Sequence, residues 1–198
     1  MLIGCTQTAE KTIEKTVDPK NLISCDGIGE VKLTYTYADL QKKFGDSVLS
    51  AHENNKAGKF TSIWEGNPKQ LNVFWKEETE PYKNIKYIEV IDRLSPYMTK
   101  DSISLGISLR DLVRKNSGMA ITFKNFTTDK PGYIVGYNNG DLLQKNPCFH
   151  GILEWTGQKP IDIKELRTFQ AQDEVKSFEM ILQRMDIELS TIRVSPKK

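Results

Sequence analysis

The chain has 198 residues, of which 38% are hydrophobic and 27% are charged, and this composition is typical of a globular protein rather than a disordered or fibrous one. Lys and Arg number 28 against 26 Asp and Glu, and the two signs are interleaved along the chain. Because a groove that follows a phosphate backbone needs concentrated positive charge, we exclude a nucleic-acid-binding protein. No apolar run in the sequence approaches the roughly 20 residues that a membrane-spanning helix needs.

The first five residues are Met-Leu-Ile-Gly-Cys, and residues 6–21 are polar with no apolar periodicity. The Leu-x-Gly-Cys tetrad that ends at Cys5 resembles the lipobox of bacterial lipoproteins. This resemblance implies that Cys5 carries lipid and that residues 1–22 are a flexible tether, so that the protein is anchored to a membrane of the bacterial cell envelope, in the periplasm or at the outer membrane. A basic and apolar signal segment normally precedes a lipobox, so the alternative is a chance match in a frayed N-terminus.

A first structural unit is predicted over residues 23–94. Apolar residues alternate over residues 31–35, which indicates a short extended segment, and Thr36 then has the position and chemistry of a helix N-cap. Asp39 follows as the second member of a capping-box variant, and Gly45 suits a left-handed C-cap. Alternating apolar residues between turn signals then predict three strands, at residues 60–65, 71–77 and 85–92.

The second unit repeats the first at an offset of 72 residues. Ser108 takes the place of Thr36 and Asp111 the place of Asp39, so a second short helix is predicted to begin after Ser108. Three further strands are predicted at residues 120–125, 133–137 and 148–155. Beyond them, apolar residues at helical spacing predict a helix over residues 175–185, and a closing strand is predicted over residues 187–194.

Together these patterns predict an α+β fold of two tandem units, each a short helix followed by a three-stranded antiparallel meander. The predicted boundaries are 1–22 for the tether, 23–94 for the first unit, and 95–198 for the second unit with the C-terminal helix and strand. A core built from about 70 residues is marginal on its own, so we expect the two units and the C-terminal stretch to pack as one body.

The second unit carries the most specific pattern, which runs ISLGISLRDL from Ile103 and continues through Asn116, Phe123, Phe126, Asp129, Gly132, Asn139-Gly140 and Leu142. A short capped helix followed by a meander is similar to the beta-lactamase-inhibitor-protein-like fold, which recurs in lipoproteins of the outer-membrane assembly machinery. The pattern also resembles lipoproteins of Gram-negative bacteria that have no assigned activity. It departs from that pattern at Thr128, where an aromatic residue is expected, and at Pro131, where a glycine is expected. The resemblance implies a fold, an exported lipid-anchored address and a binding role.

Six aromatic residues are candidates for a partner-binding surface. Alternate residues of a strand face opposite sides of its sheet, so one of the neighbours Phe74 and Trp75 must face outward. If several aromatic residues share that side they form a partner surface; otherwise helices or the other unit cover both faces. The six residues are Trp64, Phe74, Trp75, Tyr133, Tyr137 and Trp155.

The cysteines and histidines allow further hypotheses. With Cys5 acylated, Cys25 and Cys148 can form a disulfide in an exported protein, or remain two separate buried thiols. Cys148 and His150 would share one face of a predicted strand, where a thiol and an imidazole could act as nucleophile and base. The sequence contains no cofactor-binding motif and no His, Cys, Asp or Glu at zinc-ligand spacing, so we predict neither a cofactor nor a metal.

These observations favour a non-enzymatic cell-envelope lipoprotein that binds a protein or another envelope component. The alternative is an exported inhibitor that inserts a loop, either residues 46–59 or residues 140–147, into the cleft of an enzyme. A hydrolase that uses Cys148 and His150 is the third hypothesis, and it lacks an evident residue to orient the imidazole.

Overall fold

The computed structural model describes residues 17–196. The lipobox cysteine Cys5 and most of the predicted tether lie outside the described residues. Within residues 17–196 the chain forms four α-helices and thirteen strands. The helices are α1 (Tyr37–Phe44), α2 (Leu109–Lys115), α3 (Leu142–Lys145) and α4 (Ile163–Gln170). The strands are β1 (Leu22–Ser24), β2 (Gly27–Ile28), β3 (Val31–Lys32), β4 (Leu49–Asn54), β5 (Gly58–Ile63), β6 (Leu71–Trp75), β7 (Ile85–Val90), β8 (Met98–Thr99), β9 (Thr122–Lys124), β10 (Ile134–Gly136), β11 (Phe149–Gln158), β12 (Glu174–Lys176) and β13 (Met185–Val194).

The strands are arranged in three sheets, of which one dominates. The large sheet has six strands in the order β11-β13-β7-β6-β5-β4, and every pair in it is antiparallel. A small sheet has the order β3-β2-β1-β8, and another has the order β10-β9-β12. Because β1 pairs with β8 and β7 pairs with β13, strand pairing crosses the predicted boundary between residues 94 and 95.

The two principal helices begin where the sequence predicts. The Thr36 hydroxyl accepts a hydrogen bond from the Asp39 N–H at 3.2 Å, and the Asp39 carboxylate accepts one from the Thr36 N–H at 2.9 Å, which completes a capping box. At the start of α2, the Ser108 hydroxyl accepts from the Asp111 N–H at 3.1 Å. The Ser108 hydroxyl also donates to the Asp111 carboxylate at 2.8 Å. Hydrogen bonds to the two carboxylates lower the pKa of Asp39 and of Asp111, because a bonded carboxylate is favoured over its protonated form.

One hydrophobic core joins the two predicted units. Leu40 of α1 and Leu112 of α2, which lie at equivalent positions four residues after the two N-caps, are both fully buried. The same core cluster contains Ile23 from the first small sheet, Val73 from the large sheet and Phe123 from the second small sheet. The three sheets therefore share a single interior.

The predicted fold of two tandem helix-plus-meander units is wrong. The fold is mixed and consists mostly of sheet, and its first meander has four strands, since residues 49–54 form β4. The strands of the second predicted unit separate: β9 and β10 pair with each other, whereas β11 joins the large sheet beside β13. The physical reason is length, because the ten-residue β13 can pair with all of β11 and satisfy far more backbone groups than the three-residue β10.

The predicted C-terminal helix over residues 175–185 is also wrong. Val175 instead pairs with Phe123 of β9, and a 3-10 turn covers Met180–Arg184. Phe178 is 61% exposed and Met180 is 71% exposed, so the apolar residues at helical spacing do not form one buried face. The helix in this region is α4, which lies earlier in the chain, and the closing strand is β13.

Candidate functional site

The two neighbouring aromatic residues of β6 face opposite sides of the large sheet. Trp75 is 2% exposed and meets Tyr37 of α1 edge to face, with 6.3 Å between ring centres. Its indole N–H donates to the Thr61 hydroxyl at 2.9 Å. Phe74 lies on the opposite side, which we call the outer face. The side that carries Trp75 is packed by α1 and faces the core.

The other four predicted surface residues do not join Phe74 in one patch. Trp64 contacts Phe44 of α1, and Trp155 contacts Phe126, which packs against the hydrophobic core. Tyr137 is largely buried, and burial raises the pKa of its hydroxyl. Tyr133 lies at the far edge of the large sheet, beside β11. The six aromatic residues are therefore spread over both sides of the sheet and one edge.

A different row of aromatic rings crosses the outer face from strand to strand. The strand register places His52 of β4, Phe60 of β5, Phe74 of β6 and Tyr87 of β7 side by side. Their successive ring centres are 4.9, 4.7 and 4.4 Å apart, and successive planes differ by only 22°, 19° and 24°. The Arg193 guanidinium of β13 lies 4.7 Å from the centre of the Tyr87 ring and completes the row. We call these five side chains the ring row.

The stacking of the ring row decides which part of each ring a partner can touch. The centre of the row is buried, since Phe74 is only 5% exposed, whereas His52, Phe60 and Tyr87 are partly exposed. Ligands that stack on aromatic groups, such as nucleobases, need an exposed ring face, and inside the row the faces are covered by neighbours. Ring edges carry partial positive charge, so the partly exposed rings suit apolar groups and the carbonyl oxygens of a protein.

Polar side chains form a second row beside the rings on the outer face. The Ser62 hydroxyl donates to Asn72 Oδ1 at 2.9 Å, and Arg193 Nε donates to Glu89 Oε2 at 2.6 Å. Burial raises the pKa of the Tyr87 hydroxyl, while the positive charge of Arg193 acts in the opposite direction. The paired carboxylate and the stacked ring hold the guanidinium in one orientation, so this part of the face is preorganised for binding.

The contacts of the ring row distinguish the outer face from the core face. Within residues 17–196, the ring, ionic and side-chain hydrogen-bond contacts of the ring row are all made to the large sheet or to Glu65, just beyond β5. The described helices make no such contact with it. The side chains at its two ends remain accessible, with His52 33% exposed and Arg193 28% exposed.

Cys25 and Cys148 form a disulfide, with 5.3 Å between their Cα atoms. The bridge ties the end of β1 to the residue before β11, so it links a small sheet to the large one. Cys148 therefore has no thiol to act as a nucleophile with His150, as the hydrolase hypothesis requires. His150 Nε2 instead lies 3.0 Å from the hydroxyl of Ser195.

Neither segment that was expected to plug an enzyme cleft is an extended loop. Residues 46–59 form a 3-10 turn and the β4–β5 hairpin, in which only residues 55–57 lie between the strands. Residues 140–147 contain α3, whose Leu142 is fully buried. Insertion of residues 140–147 into another protein would require Leu142 to leave the core, whereas residues 53–56 at the hairpin tip are exposed.

A groove of about 1000 Å³ lies between α2 and the start of β13. Charged side chains of both signs line it, and two of them are in ion pairs: Asp111 with Arg114 at 2.7 Å, and Glu188 with Arg93 at 2.6 Å. Because both signs are present, the lining does not favour a ligand of one charge.

The described part of the chain contains no group of three His, Cys, Asp or Glu residues that could hold a metal ion. Nor does any helix in residues 17–196 have the length and apolar character needed to cross a membrane. No family model, curated protein or solved structure matches this chain.

Sequence reasoning found one member of the ring row, Phe74, and missed the other four. The signal was present in the strands as aromatic or long side chains at alternate positions, but His52 lies in a strand that was not predicted. Arg193 lies in the predicted closing strand, whose neighbour in the sheet could not be assigned from the sequence.

Proposed function

We propose that this chain is a non-enzymatic, lipid-anchored binding module of the bacterial cell envelope, and that it holds a protein partner against the outer face of its large sheet. The observation that carries the proposal is the ring row, which crosses five strands. None of the described helices makes an aromatic, ionic or hydrogen-bond contact with it. Aromatic residues and arginine are the residue types that contribute most to binding at protein interfaces.

The rigidity of the outer face supports this proposal. Its rings are held by stacking and Arg193 is held by Glu89, so little conformational entropy is lost when a partner binds. The Cys25–Cys148 disulfide agrees with an exported protein, because disulfides persist in oxidising compartments. The proposed lipid anchor is inferred from the resemblance of residues 2–5 to a lipobox. Intact-mass spectrometry of the native membrane fraction would detect acylation of Cys5.

Site-specific photocrosslinking in the native cell tests the binding surface. In the test variant a benzophenone amino acid replaces Tyr87, and its benzoyl group extends from the edge of the ring. In the matched control the same amino acid replaces Tyr82, which packs on Trp75 on the core side. We expect a discrete crosslinked protein from position 87 and none from position 82. The proposal is wrong if position 87 gives no crosslink, or if both positions give the same products.

A further inference from the structure

The two edges of the large sheet are built differently. At the β11 edge, the N–H of Leu153 donates to the carbonyl of Gly132 at 2.8 Å, and Tyr133 forms a bridge with Ile152. The approach is so close that a Cβ on Gly132 would lie 1.8 Å from the Leu153 carbonyl oxygen. The chain itself therefore covers this edge. At the other edge, β4 is paired on one side by β5, and no other described strand pairs with it.

The hydrogen-bond pattern shows which groups β4 presents at its open edge. The N–H of Trp64 donates to the carbonyl of Val48 at 3.0 Å, immediately before the β4–β5 register begins. Hydrogen-bonded pairs alternate along an antiparallel ladder, so Ser50, His52 and Asn54 bond to β5. The residues between them, Leu49, Ala51 and Glu53, direct their N–H and C=O groups away from β5. The Leu49 N–H donates to the Asp46 carbonyl of the preceding 3-10 turn. The backbone groups of Ala51 and Glu53 form no hydrogen bond to another part of residues 17–196.

The open edge lacks most of the devices that block strand addition. The strand is six residues long, contains no proline, and pairs with β5 in an unbroken register. Proline, bulges, charged side chains and covering segments are the usual protections of an edge strand. The only acidic or basic side chains of β4 are those of Glu53 and of the partly exposed His52. Such an edge is a template for an added strand from a binding partner.

The ring row indicates the chemistry of the segment that would bind there. His52 stacks on Phe60 through one ring face, and because β4 is the last strand its other face points to the open edge. In an antiparallel addition, the residue opposite His52 belongs to a pair without backbone hydrogen bonds, in which side chains approach more closely. An aromatic side chain at that place would extend the ring row by one ring.

We propose that β4 accepts an extended segment of the partner as a seventh strand, with an aromatic residue stacked on His52. This inference rests on the proposed binding function and specifies its mode. The first 16 residues of this chain contain no aromatic residue and no histidine, so they do not supply such a ring. The occupant is therefore a segment of another protein, recognised by its backbone and by one aromatic side chain.

The test uses the full chain and a displayed library of nine-residue peptides with Phe, Tyr or Trp at the centre and random residues elsewhere. Enriched peptides are synthesised and their dissociation constants measured. Replacement of the central aromatic residue by Ala should weaken binding by about two- to tenfold, the range for one aromatic pair. The amides of Ala51 and Glu53 should become protected from hydrogen exchange in the complex.

The decisive variant is Ala51→Pro, which removes an outward N–H and leaves the β5 ladder intact. It should weaken peptide binding at least tenfold, whereas the matched control Ala51→Thr, which keeps the N–H, should bind within twofold of the natural chain. Thermal unfolding checks that both variants fold, and Glu53→Pro repeats the test if Ala51→Pro does not. The variant His52→Ala should still bind peptides but should lose the preference for a central aromatic residue.

Several results would overturn strand addition. A library that yields no binder refutes it, and so does an Ala51→Pro variant that binds the peptides as tightly as the natural chain does. A concentration-dependent dimer abolished by Ala51→Pro would assign the edge to a second copy of this chain. Peptides that perturb Phe60 and Tyr87 but leave the β4 amides exchanging freely would refute strand addition and leave the proposed function standing. Peptides bound at β4, with no photocrosslink from position 87, would refute only the outer face as the binding surface.

Discussion

Asn116, at the C-terminal end of α2, is fully buried and joins three segments of the fold. Its Nδ2 donates to the carbonyls of Tyr137 at 2.8 Å and Met119 at 3.0 Å, and its Oδ1 accepts from the N–H of Leu142 at 3.3 Å. We expect Asn116→Ala to destabilise the protein, because the Met119 carbonyl and the Leu142 N–H lose the bonds that Asn116 makes. The Tyr137 carbonyl keeps only its bond from the Gly140 N–H, at 2.8 Å.

The magnitude corresponds to the loss of one buried hydrogen-bonding group, because the Tyr137 carbonyl keeps a partner and Met119 is 43% exposed. Such a loss costs about 1–3 kcal/mol. In a chain of this size each kcal/mol lowers Tm by about 2–4 °C, which predicts a loss of roughly 2–12 °C for Asn116→Ala. Circular dichroism during heating measures the loss.

The matched control is Asn55→Ala. Asn55 lies exposed in the β4–β5 turn, and its side chain makes no hydrogen bond to the described residues. Its replacement should change stability by no more than about 0.5 kcal/mol. If the two alanine variants melted at the same temperature, Asn116 would not be joining these segments, and the arrangement of α2, Tyr137 and α3 described above would have to be revised.

Three further predictions follow from burial and cross-linking. Leu112→Ala should cost about 2–5 kcal/mol and Ser108→Ala only about 1 kcal/mol in chemical denaturation, and equal costs would contradict the separate core and cap roles. Cys25 and Cys148 are 123 positions apart, and reduction of their disulfide should lower the free energy of unfolding by about 2–5 kcal/mol. An unchanged denaturation midpoint would contradict this. Burial raises the pKa of the Tyr97 hydroxyl from 10.0 to about 12, so the unfolded chain ionises at a lower pH than the folded one. The contribution of the neutral Tyr97 to stability is therefore fully present below pH 10 and is lost as the pH rises through 12. Tyr97→Phe should make the alkaline decline shallower, and identical declines would refute the assignment.

The helix starts could be predicted from the sequence because their signals are local. Thr36 and Asp39 lie three residues apart, and so do Ser108 and Asp111, so each cap is closed by neighbouring groups whatever the rest of the fold does. The buried leucines of the two helices follow from the same placement.

The sheet order could not be predicted because it depends on pairing between distant segments. β11 is closer in sequence to β10 than to β13, yet it pairs with β13 along its whole length. β4 was missed because its sequence, LSAHEN, shows little apolar alternation and none of its residues is fully buried. The ring row depends on both failures, because His52 comes from the missed strand and Arg193 from the strand whose neighbours were unassigned.

The perturbed groups named here have structural causes. In active sites, shifted pKa values mark groups that are held ready for proton transfer. Here the lowered carboxyl pKa values of Asp39 and Asp111 arise from helix capping, and the raised hydroxyl pKa values of Tyr97 and Tyr137 arise chiefly from burial in the fold. Each of these four shifts is explained by a structural contact. The proposed strand addition uses a different feature, the backbone groups of Ala51 and Glu53 at the open edge of β4, which have no partner in another part of residues 17–196.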